Sequence, residues 1–575
     1  MNRTASDLPY EVLVHIFQNL KYSDLQSVRT VCKTFYTASC NKHIVAEKET
    51  LHITEKKLLR GENVAIQLLT NTNRPFINCI IQNVKITLKT LLLLEDIGAH
   101  IENLILNHCE LYEFSDFQTI LDSCYKLKTL TIIEDDSFLI STSTSDVKGR
   151  QYPHLRKLCF EEAHNVTDYM LCRILSLYPN VEYLSFKYCG VNYHLGTYGF
   201  YYSSRVKSPL EKPSSLVLTS QCINEIVKSR RQFIIGLDFS GNRISVKYLT
   251  EMLKLEGLKL TELYLDECRE IVPNIPIPIG HWQPNITTLS LSQCYFVTDI
   301  ILYELSETML SLRILNISNC INVTNDGLIY LKRLKNLINL NIANCNNVTA
   351  AGLANGLCSD FLNDVSFAGI KNFPADEELT LCSKLIEKVQ HMDRYMIMLD
   401  DIEIPLEPTA CKPYSISSLK NLQYLNLREC KQLTDRSFMY RFRFENLREL
   451  NIACTLVSSQ GLIFLTAACK LIESLDLSHC PNIDDLAILI AVRGFQRLRK
   501  LSLELCRNVT ENSLPHIIKY AKILSVLNLR CCRKMEMNLL DAVSKLPTIV
   551  DFVLPINEDF CEQDVPVAPP LPQPC

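Results

Sequence analysis

Three nine-residue segments between Ile286 and Cys345 carry one shared pattern of apolar residues. They read ITTLSLSQC, LRILNISNC and LINLNIANC, and their last residues, Cys294, Cys320 and Cys345, are 26 and 25 residues apart. The alternating apolar residues predict a short, half-buried strand, and the apolar spacing after it predicts a helix. One such unit cannot bury its own apolar face, so the period predicts units that stack and cover one another.

The same pattern, L-x-x-L-x-L-x-x-C, recurs over most of the 575 residues. A period of this length with this signature is typical of a leucine-rich repeat. The predicted fold class is therefore α/β, a leucine-rich-repeat solenoid curved into a horseshoe over residues 101–557. A weak pattern at 77–82 predicts the first strand, within weak first repeats and a linker at 49–100. About 15 or 16 clearer units follow, at 101–109, 127–135, 155–163, 181–189, 234–242, 260–268, the three opening segments, a degenerate 362–370, 422–430, 447–455, 472–480, 498–506, 524–532 and 549–557.

Two long stretches interrupt the period. Residues 190–215 are rich in Tyr, Gly and Ser, and residues 372–419 combine acidic residues with prolines. Insertions in a repeat array map to loops that often serve binding. They are equally consistent with surface loops that the fold tolerates, because a longer loop costs little free energy. A Pro-rich tail at 558–575 is predicted to be extended.

Cysteine is unusually frequent, with 25 residues in the chain. Ten share the last position of the repeat: Cys109, Cys189, Cys268, Cys294, Cys320, Cys345, Cys430, Cys480, Cys506 and Cys532. A thiol there is small enough to bury and can form a weak hydrogen bond with the backbone of the turn. This column predicts buried, reduced thiols in a cytoplasmic or nuclear protein, rather than zinc ligands or a redox function.

Charge and motifs exclude several classes of function. The net charge of −4 gives no reason to expect a nucleic acid as partner. No apolar run is long enough to span a membrane. The N-terminus lacks the apolar core of a signal peptide. The sequence shows no serine-hydrolase, zinc-protease, P-loop or dinucleotide-binding motif. We therefore expect a protein that is not an enzyme and needs no cofactor or metal.

Residues 6–46 do not follow the repeat and predict three short helices. Leu8-Pro9 would open the first, because proline is tolerated in the first turn. Ser23-Asp24-Leu25-Gln26 has the form of a capping box for the second. Val31, Phe35 and Ala38 have the spacing of a third. A small bundle here would at least cap the end of a solenoid.

The order of residues in this bundle resembles the F-box. The segments are Leu8-Pro9-Tyr10-Glu11, Ile16-Phe17-Gln18-Asn19-Leu20, Asp24-Leu25 and Val31-Cys32-Lys33-Thr34-Phe35. Phe35 stands where Trp is commoner in the family, and the Leu-Trp found near the end of the module is absent. The resemblance implies an F-box at 1–48 that contacts a Skp-type adaptor protein. The implied adaptor-binding residues are Leu8, Pro9, Val12, Ile16, Phe17, Leu20, Leu25, Val28, Val31, Cys32 and Phe35.

An F-box followed by Leu/Cys-type repeats resembles the F-box leucine-rich-repeat family. Membership would imply a substrate-recognition subunit of an SCF-type cullin–RING ubiquitin ligase. The F-box would reach the cullin and RING subunits through the Skp-type adaptor, while the repeats hold an unknown protein substrate. The alternative is a non-catalytic repeat scaffold or inhibitor whose N-terminal bundle is only a cap. The exposed apolar content of residues 8–35 distinguishes the two.

Outward-facing positions of the strands suggest where a substrate would bind. Side chains alternate along a strand, so the x residues around the inner Leu should line the concave face. The middle position carries short polar residues, which suit a ligand but are better explained by crowding in the sheet. The flanking positions carry residue types common at interface hot spots. The predicted substrate-binding residues are Tyr424, Arg428, Lys500, Glu504 and Arg530, with Tyr183, Lys187, Tyr264 and Asp266 as an earlier group.

Overall fold

Each repeat contributes one short strand that pairs in parallel with the strand of the repeat before it. The computed structural model describes residues 8–18, 20, 25, 28–41, 44, 48–54, 76–111, 114–133, 151–191, 208–271, 278–349, 353, 419–438, 442, 444–532 and 551–553. The chain divides into two units, Met1–Phe296 and Val297–Cys575. All but the last residue of the insertion at 372–419, the tail at 558–575 and most of the predicted capping box lie outside the described residues.

The described strands of the first unit follow one another in sequence order, and each pairs in parallel and in register with the next. Their inward residues, such as Leu104 and Leu130, are fully buried. The strands are β1 Thr50–Thr54, β2 Asn78–Gln82, β3 Asn103–Asn107, β4 Thr129–Ile133, β5 Lys157–Glu161, β6 Tyr183–Lys187, β7 Gly236–Asp238, β8 Glu262–Tyr264 and β9 Thr288–Ser290.

The prediction that residues 77–82 form the first strand is wrong. Thr50–Thr54 precedes it and pairs with it, Leu51 opposite Cys79 and Ile53 opposite Ile81. Leu51 and Ile53 are buried and the alternate residues are not. With only two apolar residues and no cysteine after it, this strand lacks the pattern by which the others are recognised.

The second unit repeats the arrangement. Its described strands are β10 Ile314–Asn316, β11 Asn339–Asn341, β12 Tyr424–Asn426, β13 Glu449–Asn451, β14 Ser474–Asp476, β15 Lys500–Ser502, β16 Val526–Asn528 and β17 Asp551–Val553. Consecutive strands in this unit are parallel neighbours.

Strands β11 and β12 pair directly, with Leu340 opposite Leu425. The degenerate repeat predicted at 362–370 lies outside the described part of the chain. Cys345 and Cys430, which follow these two strands, are 85 residues apart in sequence.

Helices pack behind the strands, with apolar residues such as Leu171, Ile223 and Leu302 fully buried. The described helices are α1 Tyr10–Gln18, α2 Lys33–Ser39, α3 Leu88–Ile97, α4 Phe114–Ser123, α5 Asp168–Leu177, α6 Ser220–Arg230, α7 Val246–Leu253, α8 Ile279–Trp282, α9 Asp299–Thr308, α10 Asn325–Leu331, α11 Ser459–Ala468, α12 Asp485–Gly494 and α13 Ser513–Tyr520, with 3₁₀ helices at Gly98–His100 and Asp435–Phe438.

Hydrogen bonds between helix N-termini join successive repeats. The Asp299 carboxylate accepts from the backbone N–H of Thr324 at 2.9 Å and from its hydroxyl at 2.6 Å. Asp485 does the same with Thr510, at 2.7 and 2.5 Å. Thr324 also caps its own helix by accepting from the N–H of Asp326. The Thr324 side chain therefore caps its own helix and also links it to Asp299 at the start of the preceding helix.

A left-handed residue stands immediately before the cysteine position in repeat after repeat. Its φ is positive at Glu267 (58°), Asn319 (58°) and Leu505 (58°), for example, although none is glycine. This conformation costs an L-residue about 1–2 kcal/mol. The left-handed conformation also points the backbone N–H of the residue toward the next repeat. The N–H of Leu505, for example, donates to the carbonyl of Arg530 at 2.8 Å. The inter-repeat hydrogen bond offsets the strain.

Gly241 occupies this left-handed position with φ of 73°, and a Cβ there would lie 1.9 Å from Cδ1 of Tyr188. The Tyr188 hydroxyl donates to Glu267 at 2.5 Å. We expect Gly241→Ala to cost about 2 kcal/mol, from backbone strain and loss of this hydrogen bond. Gly257→Ala, also left-handed but 3.6 Å from the nearest atom, should cost only about 1 kcal/mol. Equal shifts of the urea midpoint would contradict the expectation.

The cysteine column is buried as predicted. Cys294, Cys320 and Cys506 are fully buried and carry free thiols. The Cys294 thiol donates to the carbonyl of Leu265, in the preceding repeat, at 2.9 Å, and Cys506 donates to Leu477 at 3.1 Å. Each of these two thiols therefore forms a hydrogen bond that links two successive repeats. Cys531, which stands beside the column, is disulfide-bonded.

Burial controls the reactivity of these thiols. It raises the pKa of Cys430 and of Cys480 to about 11, so almost no thiolate exists at pH 8. We expect iodoacetamide at pH 8 to leave the column unlabelled in the native protein while it modifies the half-buried Cys40. Peptide mapping by mass spectrometry measures this. Labelling of most column cysteines at the rate of Cys40 would contradict it.

Candidate functional site

The N-terminal bundle has its own small core. Leu13, Phe17 and Leu25 are buried together with Ala38 and Ile44. The rings of Phe17 and Phe35 meet edge to face, with their centroids 5.3 Å apart. Helix α1 begins after Pro9, whose carbonyl accepts from the N–H groups of Val12 and Leu13. The bundle is thus a folded element rather than an extension of the repeats.

Several large apolar side chains of this bundle remain on its surface. Val12 and Ile16 are 42% and 43% exposed, and their spacing of four residues places them on one face of α1. Leu8 is 39% exposed and Val31 is 64% exposed. Exposed apolar groups of this density in a small module favour a protein interface.

The eleven predicted adaptor-binding residues therefore separate into three groups. Leu8, Pro9, Val12, Ile16 and Val31 are exposed. Phe17 and Leu25 belong to the core, so any effect they have on binding must come through the fold. Leu20, Val28 and Phe35 are half-buried against that core, and the half-buried Cys32 caps α2, its sulfur accepting from the N–H of Phe35 at 3.4 Å.

Two exposed aromatic residues were not predicted for this surface. Tyr10 and Tyr36 occupy positions that the F-box pattern leaves variable. The Tyr10 hydroxyl accepts from the Asn41 side chain at 3.1 Å. Tyr10 lies two residues before Val12, and residues two apart do not share a helix face, so helical periodicity does not indicate Tyr10 for this surface.

Arg29 connects the bundle to the first strand. Its guanidinium forms an ion pair with Glu49, at 2.9 Å, and donates to the carbonyl of Ser39 at 3.4 Å. Glu49 directly precedes β1, so this side chain joins two parts of the bundle to the start of the sheet. The pair is largely shielded from solvent, which strengthens it relative to a surface ion pair.

The outward side chains of the sheet, here called the strand face, form a connected polar network in the second unit. The Asn451 amide donates to Asp476 at 3.0 Å, and Asp476 accepts from the hydroxyl of Ser478 at 2.5 Å. Ser478 contacts Ser502 at 2.8 Å, and Asn528 donates to both Ser502 and Glu504 at 3.1 Å. The network spans β13 to β16 and fixes the directions of these groups.

The short Asn and Asp residues that end six of the strands of the second unit have a structural explanation. In each, Oδ1 accepts from the backbone N–H two residues later, at 3.0–3.2 Å. The residues are Asn316, Asn341, Asn426, Asn451, Asp476 and Asn528. Because this bond ends the strand locally, Asn and Asp are favoured there without any ligand.

The five predicted substrate-binding residues lie on three strands rather than in one pocket. Tyr424 and Arg428 belong to β12 and its end, whereas Lys500 and Glu504 belong to β15, three strand spacings or about 14 Å away. Glu504 and Arg530 do come together, with Oε1 3.7 Å from Nη1. Arg428 pairs instead with Glu429, its sequence neighbour, at 3.0 Å.

Two cationic groups on this face have unused capacity. Lys500 is exposed, and its ammonium makes no ion pair or hydrogen bond within the described part of the chain. The Nε atom of Arg530 is buried and has no acceptor among the described residues. A buried donor without an acceptor is costly. Half-burial also raises the pKa of Tyr424, which keeps its hydroxyl protonated.

The strand face of the first unit holds the earlier group. The Tyr183 ring occupies the space that a side chain at Gly236 would need. A Cβ at Gly236 would lie 2.2 Å from Cδ2 of Tyr183. The Lys157 ammonium is 3.8 Å from the ring centroid. Lys187 pairs with Glu161, and Asp266 accepts from Ser290 at 2.6 Å. These polar groups are already paired within the protein, unlike Lys500.

The N-terminal bundle matches a family of known sequence. The model described as F-box-like matches residues 5–45. A second model, described as "FBD-associated F-box protein At5g56370, LRR repeats", matches residues 396–490. The chain carries an F-box-like module and leucine-rich repeats. This domain arrangement is that of a substrate-recognition adaptor in general, and the F-box implies binding to a Skp-type adaptor.

Two solved structures resemble the F-box protein in fold. One is a chain of the crystal structure of the Rad7 and Elc1 complex in yeast, at 15% identity and a TM-score of 0.39, covering 88% of this chain and 90% of that one. The other belongs to the crystal structure of the TLR13–ssRNA13 complex, at 14% identity and a TM-score of 0.43, covering 88% and 65%. Neither likeness bears on function.

The described ranges contain neither a membrane-spanning helix nor a metal-binding cluster. No helix there is both long and apolar enough to cross a membrane. Nor do three or more His, Cys, Asp or Glu side chains come together there in a way that would hold a metal ion.

Proposed function

We propose that this F-box protein is the substrate-recognition subunit of an SCF-type cullin–RING ubiquitin ligase in the cytoplasm or nucleus. The observation that carries the proposal is the exposed apolar surface of Leu8, Val12, Ile16 and Val31 on a module that matches the F-box. Burial of these side chains against a Skp-type adaptor would remove them from water. At about 25 cal/mol per Å², a few such side chains supply several kcal/mol.

The proposed part of the protein in the reaction is positional. The F-box would dock on the adaptor, and through it on the cullin and RING subunits, while the repeats hold the target. Tethering raises the effective concentration of the target near the ubiquitin-loaded enzyme. The F-box protein would supply no catalytic residue and no cofactor of its own.

We place the target protein on the strand face of the second unit. Lys500 is an exposed cationic donor without an acceptor among the described residues, so a backbone carbonyl or carboxylate of a target would pair with it. Tyr424 and Arg428 extend the surface to β12. The network from Asn451 to Glu504 holds the intervening groups in place, which lowers the entropic cost of binding.

Co-expression with a Skp-type adaptor tests the proposal. We expect the two proteins to co-elute on size exclusion, and the complex to support ubiquitin transfer to a captured target when cullin and RING subunits are added. A folded full-length chain that elutes alone at micromolar concentrations would overturn it. That result would favour the alternative, a non-catalytic scaffold or inhibitor that binds its target without ubiquitination.

A further inference from the structure

We propose that Cys172 and Cys222 are a redox-sensitive thiol pair that closes to a disulfide when the protein meets a peroxide. Their Sγ atoms are 3.7 Å apart. Cys172 lies on α5 and Cys222 on α6, in consecutive repeats of the first unit. Neither belongs to the cysteine column, and neither takes part in the proposed adaptor function.

The two helices are held so that the thiols stay together. At their N-terminal ends, the Asp168 carboxylate accepts from the N–H and the hydroxyl of Thr219, at 2.7 and 2.8 Å. At the other end, the Arg230 guanidinium donates to the carbonyls of Leu175 at 2.6 Å and of Tyr178 at 3.0 Å. Since a disulfide is about 2.05 Å long, the sulfur atoms need to approach by less than about 2 Å.

The surroundings of this pair differ from those of the column. A column thiol donates to a backbone carbonyl, as Cys506 does to Leu477, and is buried. Cys172 is half-buried and shares a hydrogen bond with another thiol, that of Cys222. That bond lowers the pKa of Cys172, and the nearby Arg230 guanidinium adds to the effect. Cys172 is therefore the thiolate that reacts first, and the buried Cys222 is the thiol that follows.

The chemistry balances with a peroxide as oxidant. The Cys172 thiolate attacks one oxygen of hydrogen peroxide, the O–O bond breaks, and hydroxide leaves, so that Cys172 becomes a sulfenic acid. The Cys222 sulfur then attacks the sulfenic sulfur, forming the S–S bond and releasing water. In total, two thiols lose two electrons and two protons, and one peroxide is reduced to two waters.

The bond would connect two repeats across the interruption at 190–215. It closes the chain from Cys172 to Cys222, a span that contains β6 and residues 192–207. A cross-link of this kind restricts the unfolded chain and so raises the melting temperature. A reducing thiol such as dithiothreitol would reverse the change.

The test is a peroxide titration of the full-length protein. After treatment, remaining thiols are blocked with N-ethylmaleimide and the digest is mapped by mass spectrometry. We expect a cross-linked peptide pair holding Cys172 and Cys222, lost on reduction, at doses that leave Cys294, Cys345 and Cys506 free. The preference should be tenfold or more in dose, since each unit by which a pKa is raised lowers the thiolate fraction about tenfold.

Single variants separate the two thiols. In Cys222→Ser, dimedone should trap a lasting sulfenic acid at Cys172, whereas Cys172→Ser should show none at Cys222. Cys159→Ser, which removes another half-buried thiol of the same unit, should leave the cross-link unchanged. Absence of the cross-link in the wild-type protein, or its formation only at doses that oxidise the column, overturns the proposal even if a variant fails to fold.

Discussion

Replacing Val12 and Ile16 with Asp is expected to abolish capture of a Skp-type adaptor while leaving the repeats folded. Both side chains are exposed, so the free chain tolerates the carboxylates. In a complex, each carboxylate would be desolvated without a partner, at a cost of several kcal/mol. The pair should weaken binding by roughly a hundredfold or more. Affinity is measured by biolayer interferometry, and folding by circular dichroism.

Two further variants make the result specific. Ile300→Asp with Leu310→Asp places the same carboxylates on exposed apolar positions of the second unit and should leave adaptor binding unchanged. Phe17→Ala removes a core ring and should instead destabilise the bundle by about 3–5 kcal/mol. If the Val12/Ile16 variant still co-purifies with the adaptor in full yield, the adaptor reading fails.

The second large effect is expected on target binding. Changing Tyr424, Arg428 and Arg530 together to Ala removes an aromatic anchor and two guanidinium groups from the strand face of the second unit. Truncation of one Tyr or Arg hot spot costs about 2 kcal/mol, or roughly thirtyfold in affinity. We therefore expect target capture to fall below detection. Proximity labelling in cells measures this, by comparison of the labelled partners of the variant with those of the wild-type protein.

Matched variants locate the site. Lys187→Ala with Tyr264→Ala changes the strand face of the first unit, whose groups are already paired internally, and should leave the partner set intact. Deletion of residues 376–412 separately tests the long insertion. If the triple variant is silent while the Lys187/Tyr264 variant loses partners, the target belongs on the first unit instead.

The repeat could be predicted from sequence because one side-chain pattern serves every unit. Leu289, Leu315 and Leu340 each fill the same buried position, and a thiol such as that of Cys294 reaches a carbonyl of the preceding repeat from the column position. The left-handed residue could not be predicted. Its conformation is fixed by an inter-repeat hydrogen bond of its backbone, so Glu, Asn, His and Leu all serve.

The pairing of strands and the exposure of individual side chains also could not be predicted from the sequence. The weak strand at 50–54 is held by its neighbour rather than by its own two apolar residues. Whether Phe17 or Ile16 faces the core depends on how the helices meet, and the F-box pattern marks both alike. The five predicted substrate-binding residues are of similar types but lie on three strands. Residue type alone does not show how many strands separate two residues.

The direct pairing of β11 with β12 has a practical consequence for building this protein from pieces. The ladder from Asn339 to Tyr424 and from Asn341 to Asn426 does not require a peptide connection between the two strands. The Cys430 thiol adds a contact to the carbonyl of Ile342 at 3.3 Å. Two separately expressed polypeptides, one ending near residue 353 and one beginning near residue 419, would present complementary edges to each other. The natural chain thus contains a ready division for fragment complementation, at which a reporter could be split.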